Sequence, residues 1–157
     1  MSLEIERKFL VKNDSYKSES FQKSYIKQGF LNSNKERTVR IRIIDKNAFI
    51  TVKGKSNKAG TIRFEWEKEI SVNEAQELLL LAEKTIIEKH RFFVKIDQHV
   101  FEVDEFLGDN FGLIVAEIEL ISEDETFNKP LWLGGEVTGD VKYYNSSLSK
   151  KSFNLWT

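Results

Sequence analysis

Apolar and charged side chains alternate along most of this chain, and the period of two marks β-strands. The first run, Leu3 to Leu10, sets Glu4, Glu6 and Lys8 on one face and Ile5, Arg7 and Phe9 on the other. Tyr25 to Leu31 reads as a second strand, with a bulge or a close approach at Gly29. Thr38 to Ile43 alternates strictly: Arg40 and Arg42 face away from Val39, Ile41 and Ile43. Asp45-Lys46-Asn47 turns the chain into Ala48 to Lys53, a hairpin. Ile62 to Ile70 sets Arg63, Glu65, Glu67 and Glu69 against Ile62, Phe64, Trp66 and Ile70, with Lys68 out of pattern. Three more strands follow: Ile86 to Val94 with Lys89 and Arg91 together, His99 to Phe106 with Glu102 and Asp104 together, and Leu113 to Ile121 with Glu117 and Glu119 together.

Helical signals are fewer. Asn13-Asp14-Ser15 starts a short helix over 15–22. Ser71 or Asn73 caps one that runs to about Lys84, with Ala75, Leu78, Leu79 and Ala82 at helical spacing. A last one is expected over Tyr143–Leu148, while 131–138, after Pro130, reads as irregular. About eight strands joined by short loops are mostly antiparallel, and eight such strands suit a closed barrel, which removes sheet edges. The fold class is α+β.

The helices carry apolar stripes that must pack on something. Placing them outside, against the apolar sheet face, turns the charged face into a wet lumen. The same alternation also fits a twisted sheet with a salt-bridged outer face, and periodicity does not choose between the two.

Composition narrows the chemistry. The 157 residues make one domain, 1–157, and 40% hydrophobic content supplies a core. Cysteine is absent, which excludes disulfide scaffolds, thiolate metal sites and cysteine nucleophiles. A net charge of −1 gives no field directed at nucleic acid or a membrane surface. No run approaches the ~18 apolar residues of a membrane span, and Glu4 and Glu6 stand where a signal peptide would be basic and then apolar. The cytoplasm is the expected compartment. His90, on an apolar face, is expected to be packed, and His99, near a turn, to be solvated.

Gathered together, the charged faces hold the cations Lys8, Arg40, Arg42, Lys53, Arg63, Lys89 and Arg91 and the carboxylates Glu4, Glu6, Glu65, Glu67, Asp104, Glu117 and Glu119. A lumen of both signs is costly unless its charges are paired or occupied. Arginine forks and lysine point charges suit phosphate oxygens. Carboxylates are the hard oxygen donors that Mg²⁺ or Mn²⁺ prefers. The expected guest is a polyphosphate with a divalent ion.

In this order the motifs resemble the triphosphate tunnel metalloenzymes, the CYTH superfamily. The signature Glu-x-Glu-x-Lys is Glu4, Glu6, Lys8. Gln28-Gly29-Phe30-Leu31, Arg40-x-Arg42, Thr51-Val52-Lys53-Gly54, Arg63-x-Glu65-x-Glu67, Lys89-x-Arg91, Asp104-Glu105-Phe106-Leu107-Gly108, Glu117-x-Glu119, Glu136-Val137-Thr138 and Tyr143–Asn145 follow. The resemblance implies a tunnel of eight antiparallel strands with the charges inside. It implies that Lys8, Arg40, Arg42, Lys53, Lys89 and Arg91 grip phosphates, that Arg63 and Glu136 play lesser parts, and that Glu4, Glu6, Glu65, Glu67, Asp104, Glu117 and Glu119 hold Mg²⁺ or Mn²⁺ and order water. Glu4, Glu6 and Lys8 are the expected catalytic set. Metal-dependent hydrolysis of inorganic tripolyphosphate leads. A class IV adenylyl cyclase, a thiamine or nucleoside triphosphatase, and a non-catalytic polyphosphate-binding module are the alternatives. The tail 150–156 can pack on the barrel or support a homodimer, so the oligomeric state stays open.

Overall fold

Eight of the strands find partners on both edges, and their ladder closes on itself. The structure is a computed structural model and describes residues 2–156 apart from the side chain of Lys84. Its strands are β1 (Ser2–Val11), β2 (Gln22–Asn32), β3 (Arg37–Ile44), β4 (Asn47–Gly54), β5 (Ile62–Ile70), β6 (Glu83–Ile96), β7 (His99–Phe106), β8 (Ile114–Glu119) and β9 (Leu133–Glu136). The order is β5-β4-β3-β2-β6-β7-β8-β1, and a β1–β5 pairing closes an eight-stranded barrel that is antiparallel throughout. β9 adds to β1 beyond the reach of β5, pairing Phe9 with Glu136 and Val11 with Leu133.

The helices are α1 (Tyr16–Glu19), α2 (Val72–Leu79) and α3 (Asn145–Leu148). Ser71 and Glu74 form a reciprocal capping box at the start of α2. α2 ends earlier than the sequence pattern predicts. Leu80, Leu81 and Ala82 tighten the chain with bonds to the carbonyls three residues back, and Glu83 already pairs with Phe30 as the start of β6.

Outward side chains form two cores. Tyr16 of α1 and Trp132 pack with Phe9, Phe92, Phe101 and Ile118. Ala75 and Leu79 of α2 cover Ile41 and Ala48. The third cluster lies inside the barrel. Phe30, Ile87, Phe106 and Val115 share strand faces with Gln28, Lys89, Asp104 and Glu117, and they pack with Leu113 and the fully buried Leu148 of α3. One end of the lumen is therefore apolar and stoppered by α3. The close approach expected at Gly29 is present: a Cβ there would lie 2.8 Å from both Ala82 Cβ and Ile86 Cδ1. No helix among the described residues is long and apolar enough to cross a membrane.

Candidate active site

Strand alternation fixes which charges face inward, and strand order sorts them by sign. β8, β1 and β5 are neighbours, and they bring Glu117, Glu119, Glu4, Glu6, Glu65 and Glu67 to one wall. β3 and β6 flank β2 and carry Arg40, Arg42, Lys89 and Arg91. Lys8 and Arg63 rise from the acidic strands, and Lys53 from β4. These groups line one cavity of about 330 Å³.

Several of them satisfy one another. Lys53 Nζ lies 2.8 Å from Glu4 Oε1, Lys8 Nζ 3.8 Å from Glu117, and Arg40 Nη2 3.8 Å from Glu67. Arg91 Nη1 stands 3.4 Å from Glu102. The pairing is incomplete: Arg40 Nε and Arg63 Nη2 are buried without a hydrogen-bond partner. A buried guanidinium N–H without an acceptor is costly, and an anion in the cavity would supply one.

Asp104, expected among the metal ligands, lies beneath the cavity wall and bonds two cations of the opposite wall. Its Oδ1 accepts from Arg91 Nε at 2.7 Å, and its Oδ2 accepts from Arg91 Nη2 at 2.9 Å and Lys89 Nζ at 2.8 Å. It is 2% exposed and does not line the cavity. Both of its oxygens are bonded to the buried Lys89 and Arg91. Glu102, its neighbour on the same face, does line the cavity. Alternation shows which face a residue takes but not how deep it sits, so these two carboxylates could not be told apart.

The C-terminal segment supplies what the sequence pattern left vague. Asn145 Oδ1 accepts from Gln28 Nε2 at 2.9 Å and Lys89 Nζ at 3.0 Å, and Gln28 Oε1 accepts from Arg42 Nε at 3.2 Å. This network ties the stoppered end to the cationic wall. Tyr144 lies under Lys8 Nζ, 5.0 Å from the ring centre, and Thr138 also reaches the lining. Glu136 instead pairs with Arg7 on the outer face, Arg7 Nη2 donating at 2.7 Å. His99, expected to be solvated, is half-buried and bonds Glu125.

Crowding of like charge marks the acidic wall. Burial, then Glu117 and Glu4, push the Glu6 carboxyl up to about 8. Burial, then Glu4, raises Glu65 and Glu119. Burial works the same way on Glu117, but Lys8 and Arg91 outweigh it and hold that group low. On the other wall burial, then Arg40 and Arg91, bring the Arg42 guanidinium down to about 9. Burial brings Lys89 down to about 7, against the pull of Asp104. Arg91 is held high because Asp104 and Glu102 overcome its burial.

Oxygen-only donors with excess negative charge fit a hard divalent cation. Among the described residues no three side chains of His, Asp or Glu already converge on a metal-ligating arrangement. Lys53 pairs with Glu4, and Lys8 stands by Glu117.

A family model described as CYTH domain matches residues 2–152. The chain is 47% identical over 154 residues to an inorganic triphosphatase of Acetivibrio thermocellus, covering 98% of this chain and 97% of that one. It is 34% identical over 150 residues to an inorganic triphosphatase of Nitrosomonas europaea, covering 93% and 96%. A crystal structure of an inorganic triphosphatase superposes with a TM-score of 0.65 at 31% identity, covering 98% of each chain.

Proposed function

This chain belongs to the CYTH domain family, and from that premise we propose that it hydrolyses inorganic tripolyphosphate, with the chain 1–157 acting as one domain and Mg²⁺ or Mn²⁺ as cofactor. The observation that carries the reading is the segregation of charge across one cavity: an arginine and lysine wall faces a carboxylate wall, and Arg40 Nε lacks a partner. The two relatives named as inorganic triphosphatases support the choice of substrate.

Phosphoryl transfer asks mainly for positioning and charge neutralisation. Arg40 and Arg42 present forked donors to phosphate oxygens; Arg91, whose Nε and Nη2 hold Asp104, presents its outer Nη1 edge; and Lys8, Lys53 and Lys89 present point charges. Arg63 adds a donor beside Tyr144. Glu4, Glu6, Glu65, Glu67, Glu117 and Glu119 are the residues that would hold the metal. A divalent ion held there would neutralise developing charge and lower the pKa of the attacking water. We assign proton acceptance from the attacking water to Glu4 or Glu6, the carboxylates of the first motif on the acidic wall. The stoppered end keeps bulk water from one side of the cavity.

Phosphate release from tripolyphosphate, ATP and thiamine triphosphate, with a cyclic AMP readout, tests the reading. The expected result is hydrolysis of tripolyphosphate above the other two, lost with EDTA and restored by Mg²⁺ or Mn²⁺. Cyclic AMP as the main product, or binding without phosphate release, would overturn it.

A further inference from the structure

Lys8 stands where one edge of β1 changes partner. β5 pairs with β1 as far as Ile5, opposite Ile62, and the Glu6 N–H adds a bond to Thr61 O at 3.0 Å. β9 takes over the sheet register from Phe9. The Lys8 N–H falls in the gap between them. Thr138 Oγ1 accepts from it at 2.9 Å, and the Val137 N–H donates to Lys8 O at 2.8 Å. A side chain thus completes the sheet at the one lysine of the first motif.

That hydroxyl is itself aimed. Thr138 Oγ1 donates to Glu136 Oε2 at 2.6 Å, the closer of two acceptors, Lys8 O being 3.4 Å away. Glu136 is fixed in turn by two bonds from Arg7, at 2.9 and 2.7 Å. Arg7 lies over the Phe127 ring, 5.1 Å from its centre. A relay therefore crosses the barrel wall from the outer face to the backbone of Lys8. The ammonium has no comparable anchor. Its contacts are Tyr143 O at 3.4 Å, Glu117 at 3.8 Å and the Tyr144 ring. A side chain held so loosely takes its aim from its backbone.

We propose that Thr138 is a positioning residue for Lys8, with Glu136 and Arg7 orienting its hydroxyl. The inference rests on the reading that Lys8 acts on the triphosphate. A supporting group displaced by about 1 Å can cost on the order of 10²-fold in rate.

Steady-state hydrolysis of tripolyphosphate by Thr138→Val, Thr138→Ser and Lys8→Ala tests it. Valine keeps the volume and removes the acceptor; serine restores the hydroxyl. The expected result is a fall in kcat of about tenfold for Thr138→Val with KM within about threefold, and recovery to within about twofold of wild type for Thr138→Ser. Wild-type kcat in Thr138→Val while Lys8→Ala is impaired overturns the positioning role. So does a Thr138→Ser variant as slow as Thr138→Val, which would mark the methyl group as what matters. Wild-type turnover in Lys8→Ala overturns the reading beneath both. If Thr138→Val does not fold, Glu136→Gln carries the same test: kcat about threefold lower at unchanged KM supports the relay, and unchanged kcat removes it.

Discussion

Lys53 and Glu4 form an ion pair of 2.8 Å across adjoining walls of the cavity. One belongs to the set proposed to grip phosphate, the other to the set proposed to hold metal. While paired, each would block the other's task. A triphosphate that draws Lys53 away would release Glu4, so substrate and metal should bind with positive coupling. Lys53→Ala should therefore bind tripolyphosphate more weakly, yet bind Mn²⁺ in the absence of substrate about fivefold more tightly, a difference of about 1 kcal/mol. Calorimetric titration of Mn²⁺ into both proteins checks this; unchanged or weaker Mn²⁺ binding in the variant would count against it.

The Glu6 carboxyl supplies a pH dependence with a definite sign. It must lose its proton to ligate a metal, and its folded pKa stands near 8 because of burial and the neighbouring Glu117. Apparent Mn²⁺ affinity should rise as pH climbs from about 6.5 to 8, by up to about tenfold per unit for one proton released, and flatten above. Stability of the metal-free protein runs the other way. The folded pKa exceeds the unfolded value of 4.5, so the folded state binds the extra proton between 4.5 and about 8, and Glu6 costs stability progressively as pH rises through that window. Glu6→Gln should flatten both curves. Metal titrations and thermal melts at pH 5 to 9 measure them.

Asp104 and Glu119 should separate cleanly under mutation. Removing the Asp104 charge leaves Lys89 and Arg91 buried without their shared partner. Breaking a buried pair in this way costs about 3–5 kcal/mol. Asp104→Asn should therefore melt much earlier and raise KM for tripolyphosphate, with metal affinity little changed. Glu119→Gln should melt at or above the wild-type temperature, since Glu119 is raised by burial and by its acidic neighbours, while losing metal affinity. Melting curves and Mn²⁺ binding on the two variants decide it.

The apolar stopper gives a stability prediction independent of the chemistry. Leu148 is fully buried among Phe30, Ile87, Phe106, Leu113 and Val115. Leu148→Ala should cost about 2–5 kcal/mol, measurable by urea unfolding.

Much of this architecture was legible from alternation alone. Glu4-x-Glu6-x-Lys8, Arg40-x-Arg42 and Glu117-x-Glu119 state their faces by spacing, but only the ordered set of motifs that resembles the CYTH family pointed those faces inward. β9 was not legible. Its core, Gly134-Gly135, carries no strand propensity, and glycine is there because a Cβ on Gly134 would lie 2.9 Å from Leu10 O. Asn145 and Thr138 were legible only as members of the motifs Tyr143–Asn145 and Glu136-Val137-Thr138. They sit on short, irregular segments whose place at the cavity follows from tertiary packing, and no periodic signal announces them. The depth of Asp104 was hidden for a related reason, since a strand's period reports orientation and says nothing about which partners meet there.

α3 seated on the barrel's greasy floor has a consequence for traffic. While it stays in place, the cavity is a cul-de-sac: whatever enters the mouth must back out through it. Of the two fragments made by cleaving an inorganic chain, the one lodged deeper can depart only after the shallower one has cleared the way. A fragment lodged against Lys89 and Arg42, beside that floor, would then be the last to leave.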